Sequence, residues 1–169
     1  MEANMLSLVP WLIFLHVLSA FTFFLAHGTS VAMAFQLRKE TDFSRIRAML
    51  DLSNSTITVL GIAFLIMGLS SLALPFMLKL WGKGWIWASI LLMLIVIVQM
   101  AAMNDKRYKH LRRMVGLPYM IGGKNFAAEP LASQAEVEAH IKKLNVHELV
   151  AVGYVIPVIV LWLMVFKPF

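Results

Sequence analysis

Two histidines lie within the long uncharged run Pro10 to Leu37: His16 and His27. Eleven residues apart on a helix of about 100° per residue, they come back to within about 20° of one azimuth, so both imidazoles share a face. At 1.5 Å of rise per residue they stand about 16 Å apart, half the thickness of a hydrocarbon core of about 30 Å. They therefore address two depths of a membrane and not one site. Ser19, Ala20, Phe23, Ala26, Ser30 and Ala34 share their face, and these mostly small neighbours leave room beside an imidazole.

That pattern suits metal or haem chemistry. A b-type haem needs an axial imidazole in an apolar slot, and one helix can carry one histidine per leaflet. His147, near the start of the last apolar run, is at the same depth as His27 and is its expected partner. For His16 the expected sixth ligand is Met77, Met164, water or nothing. The candidate cofactor-binding residues are thus His16, His27 and His147, with haem b as the cofactor. Copper held by His16, Met77 and Met164 is the alternative, since thioethers suit Cu(I), and a span without any cofactor is the third reading. His16, flanked by Leu15, Val17 and Leu18, needs a partner more than His27. His27 is followed by Gly28, Thr29 and Ser30 and is expected to be reached by water.

No catalytic residue is assigned, and whether the chain is an enzyme stays open. Every Asp and Glu lies outside the apolar cores, so hydrolysis by a Ser-His-Asp triad or a His-Glu-x-x-His zinc helix has no residues to work with. The Gly122-Gly123-Lys124 step lacks the remaining residues of a phosphate loop. Met100 and Met103 at i and i+3 are ordinary packing residues as well as soft ligands. The absence of cysteine removes disulfides, iron–sulfur clusters and thiolate sites.

The elements that must position the histidines follow from composition. With 169 residues, 60% hydrophobic and 14% charged, the chain is far more apolar than a soluble domain. Four runs reach the ~20 residues of a spanning helix. The expected fold is an all-α four-span transmembrane bundle, one domain over 1–169, with spans near 10–37, 54–78, 84–104 and 146–167. The connection 105–145 and the segment 41–52 should add short interfacial amphipathic helices. Ser133 with Glu136, and Asn145 with Glu148, mark helix starts, and His140 on the first of these helices reads as a solvated surface residue. Pro157 should kink the last span.

Arg38, Lys39, Arg45 and Arg47 in the first connection, with eight more basic residues between Lys106 and Lys143, make up twelve of the 15 lysines and arginines. Their excess marks the cytoplasmic side, so both termini are expected outside a bacterial cytoplasmic membrane. The first span, headed by Glu2 and too long for a signal h-region, is expected to be retained. The net charge of +6 favours anionic lipid at the inner face. Expected partners are the bilayer, that lipid, and a homo-oligomer or membrane-complex subunit, but not nucleic acid.

The string Trp11-Leu-Ile-Phe-Leu-His16-Val-Leu-Ser-Ala20 resembles the first span of a group of small bacterial four-helix membrane proteins. These comprise predicted integral membrane proteins of unknown function, the CopD-type copper-resistance proteins and the haem-binding membrane protoporphyrinogen oxidase. The resemblance covers the four-span layout and the Leu-His-Val step, and it implies His16 as the family-type histidine. Phe21 stands where a tryptophan is often found, and span three has no lysine of the kind the oxidase uses, so the unknown-function branch is the nearest match.

Overall fold

A computed structural model describes residues 7–121 and 123–169; the head bearing Glu2 and the turn residue Gly122 lie outside the described residues. The chain is all-α apart from one small hairpin, and four of its helical runs are long and apolar enough to cross a membrane. It is a multi-pass membrane protein by that criterion. Helix α1 spans Val9–Leu37, with Pro10 in its first turn, where the missing N–H costs no hydrogen bond. Helix α2 spans Phe43–Met77 and α3 spans Gly84–Met103. A turn of π-helix, Asn104–Tyr108, leads into α4, Lys109–Met114. Strands β1 (Tyr119–Ile121) and β2 (Lys124–Phe126) form an antiparallel hairpin, and α5 spans Gln134–Lys142. The last span is assembled from α6 (Val146–Val150), a second π-turn (Ala151–Val155) and α7 (Ile156–Phe166).

Two departures from the expected layout have simple causes. The separate helix expected at 41–52 is the first third of α2. Asp42 caps it by accepting from the Ser44 and Arg45 amides, and Ser53 to Thr56 do not break it. Ser55 and Thr56 turn their hydroxyls back onto carbonyls three residues earlier, and Ser53 reaches Ser30 of α1 at 3.0 Å, so none of the three competes for a cap. The expected effect of Pro157 arises one turn earlier, as the π-turn: proline has no N–H for the preceding turn, and the ladder shifts register there.

The two faces of the molecule are held by different physics. Only 11 to 33% of each apolar window is buried within the chain, so most apolar side chains of the spans face outward. Lipid tails are as apolar as leucine, and helix pairing there rests on close packing and polar contacts. Accordingly α1 packs along α2 through small buried residues, Ser19, Ala26, Ala63 and Ser70 among them, and α3 pairs with α7. At the end where the basic connections lie, burial is complete. Leu37, Ile46, Leu111, Val115, Val137 and Ile141 form one water-excluding cluster, in which each large side chain contributes about 1.5–3 kcal/mol. A second cluster, with Val31, Ala34, Val96 and Val146, joins α1, α3 and the last span just inside it.

Arginines lock this cap. Arg112, only 11% exposed, donates to the carbonyls of Leu50 (3.0 Å) and Pro118 (3.1 Å) and pairs with Asp51 at 2.9 Å. Arg47 donates to the Val115 carbonyl at 2.6 Å. Glu129 accepts from Tyr119 and from Arg113, and these donors, Tyr119 first, hold its carboxyl below its ordinary range. Charged-donor hydrogen bonds contribute about 1.5–3 kcal/mol each, so Arg112→Met is expected to cost about 2 kcal/mol. Asp51 is 57% exposed, and Asp51→Asn should cost well under 1 kcal/mol. Thermal unfolding in detergent measures both, and equal losses would show that the ion pair, not the carbonyl contacts, carries Arg112.

Candidate functional site in the first span

His16 and Ser70 face each other across α1 and α2, with Nδ1 to Oγ at 2.9 Å. The direction of that bond follows from its surroundings. The single Ser70 hydroxyl proton is directed at its own helix, at the Ile66 carbonyl (2.8 Å) and the Met67 carbonyl (3.0 Å), so Ser70 Oγ accepts from the ring. Nδ1 therefore carries the hydrogen, and Nε2 presents a bare lone pair. This is the tautomer of a metal- or haem-ligating histidine, whose other nitrogen is oriented by a hydroxyl or carbonyl.

Between α1 and α2 lies an apolar groove of about 210 Å³ lined by Leu15, Ser19, Thr22, Val59, Ala63 and Ile66, with the His16 ring outside its lining. It is below the ~300–1,000 Å³ of closed ligand pockets, so these two helices alone do not enclose a large planar ligand. The donor chemistry at His16 fits a haem; the rest of an enclosure would have to come from lipid or a second subunit.

His27 is placed differently from the hydrated position expected for it. It is 2% exposed, because the last span closes over it. Phe23 stacks on the ring at 5.9 Å and Tyr154 tilts against it at 5.4 Å. Thr29 bonds the Leu25 carbonyl and Ser30 bonds Ser53, so the polar neighbours open no water path. The buried Nε2 of His27 has no hydrogen-bond partner among the described residues. Nε2 is aimed at Gly153: a Cβ there would lie 1.7 Å from it. A metal or an iron needs about 2 Å of bond plus its own volume, and this space is not there. The arrangement does not fit a haem on His27.

His147 is exposed in the first turn of α6, and the rings packed on His27 are Phe23 and Tyr154 instead. Ser70, not Met77, is level with His16; Met77 lies seven residues, about 10 Å, further along α2 and is its last residue. Met164 sits near the end of α7. Among the described residues, no three His, Asp or Glu side chains gather as a metal cluster.

Sequence reasoning missed Ser70 as the partner of His16, and it missed Gly153 altogether. A glycine four residues before Pro157 was the available signal, because both residues loosen a helix. Tyr154 turned out to cover His27, its hydroxyl passing 3.0 Å from where a Cβ on Gly28 would stand. No family model, curated protein or solved structure matches this chain.

Proposed function

We propose that the protein is a b-type haem-binding, redox-associated membrane protein in which His16 Nε2 is the axial ligand. The observation that carries this reading is the His16 Nδ1 contact to Ser70 Oγ at 2.9 Å, with the Ser70 hydroxyl bonded back to its own helix, which supports a ring whose Nε2 is bare. A bare imidazole nitrogen in the apolar part of a span costs free energy unless something binds it, and a haem iron would do so. When bound, such a haem supplies one-electron chemistry. The chain's own part is to hold the ring: Ser70 fixes its rotation, and Ser19, donating to the His16 carbonyl at 2.8 Å, keeps the turn beside it narrow. His27 pins α1 to the last span and takes no ligand.

The deciding measurement is the absorption of the chain purified from its membrane. A Soret band and a reducible α band are expected; copper by elemental analysis without them would favour the copper reading, and neither would leave a structural or partner-binding subunit.

The setting completes the proposal: a bacterial cytoplasmic membrane, both termini outside, and the basic end against anionic lipid in the cytoplasm. A cysteine placed at Asn125, exposed in β2, should resist an impermeant maleimide in intact cells and react after lysis. Labelling from outside would overturn this orientation.

A further inference from the structure

We propose that His110 and His140 form a second site, a surface chelate for a divalent transition-metal ion such as Zn²⁺, on the cap at the basic end. His140 does not behave as the solvated residue its place on an amphipathic helix suggests. Its ring lies 5.0 Å from that of His110, centroid to centroid, tilted by 56°. Two imidazoles sharing one ion, each with a metal–nitrogen bond of about 2.0–2.1 Å at a near-tetrahedral angle, bring their centroids to about 5 Å. The spacing of this pair is that of a chelate.

The protonation pattern agrees. His140 Nε2 lies 3.0 Å from the Arg107 carbonyl, which only accepts, so Nε2 holds the hydrogen and Nδ1 is bare. A ring nitrogen donated to a backbone carbonyl is the usual outer support of a metal-ligating histidine. The carriers are rigid, because the residues next to the histidines, Leu111 and Ile141, are packed in the same buried cluster. Nor does the basic surroundings repel a cation outright: Arg107 is paired with Glu148 at 2.7 Å and Arg113 with Glu129 at 2.6 Å. With two protein ligands the ion would keep water in its remaining positions. Affinity should fall in acid, where protons compete with the metal for imidazole.

The site is independent of the haem reading, since it shares no residue with His16. Isothermal titration of the full chain in detergent with Zn²⁺ alone tests it, after any tag is removed. One saturable ion per chain is expected, with at least a tenfold loss of affinity in His110→Ala and in His140→Ala. The double variant should be no worse than either single one, because a chelate is lost once. His16→Ala and His147→Ala should bind as the parent does. Because His110 is exposed, His110→Gln keeps the surface and separates ligand loss from misfolding, which circular dichroism would reveal. No saturable Zn²⁺ binding by the parent, binding that survives His110→Gln, or binding that follows His16 or His147 instead would overturn the proposal.

Discussion

On the proposed haem reading, His16→Ala is expected to lower the Soret-to-protein ratio of the purified chain at least tenfold, while His27→Ala lowers it less. The asymmetry comes from the two rings' surroundings. His16 bonds Ser70 through Nδ1, whereas His27 Nε2 is buried without a hydrogen-bond partner among the described residues. The His16 ring is only part-buried, in its hydrogen bond with Ser70; at His27 Nε2 is closed off by Gly153. Only the first can accept an iron without parting two helices. Loss of His27 acts through the seam between α1 and the last span, and so weakens occupancy indirectly. Ser70→Ala should fall between the two, since removing the group that orients a ligand typically costs 10–100-fold in affinity. Full pigment in the His16→Ala protein would remove the haem assignment and leave His16 as an interhelical hydrogen bond.

The largest structural effect is expected at Gly153. An alanine methyl would sit 1.7 Å from His27 Nε2 and 2.6 Å from its two adjoining carbons, and the ring cannot rotate away because Phe23 and Tyr154 flank it. The last span would have to move off α1, opening the cluster of Val31, Ala34 and Val146. Overpacking of a tight interior costs about 1–3 kcal/mol, occasionally more, and an overlap this deep belongs at the upper end, near 3 kcal/mol. The clash has one partner, which makes it separable from a general intolerance of alanine in the π-turn. His27→Ala alone should cost about 2 kcal/mol through the cavity it leaves. Combined with Gly153→Ala it should be rescued, the double variant being more stable than the sum of the two losses by at least 1 kcal/mol. Thermal unfolding of the four proteins in one detergent decides it, and strict additivity would show that His27 and Gly153 do not meet.

What the sequence by itself determined was whatever depends on composition and local pattern. Four uncharged runs imply four spanning helices because backbone polar groups in lipid must be satisfied within the segment. The starts of α5 and of the last span were readable because capping is a contact within four residues: Ser133 accepts from the Glu136 amide, and Asn145 from that of Glu148. The apolar face of Val137 and Ile141 was visible for the same reason. The start of α2 was misplaced, since Ser53 to Thr56 look like caps until α1 is present to take the Ser53 hydroxyl. The small hairpin at 119–126 is not legible in the sequence, because the pairing of Tyr119 with Phe126 leaves no local pattern beyond the glycines and proline of a turn.

The site divides in the same way. That His16 and His27 lie on one face of one helix is a matter of helical period, and the sequence contains it. Their different environments are decided by which neighbours arrive from residues far along the chain: Ser70 from 54 positions away, Gly153 and Tyr154 from the last span. The same holds for His110 and His140, which no spacing rule connects; a π-turn at 104–108, a buried Leu111 and a buried Ile141 bring them face to face. Side-chain type and period are local properties, whereas the proton on a ring nitrogen and the space beside it are set by atoms that only folding brings near.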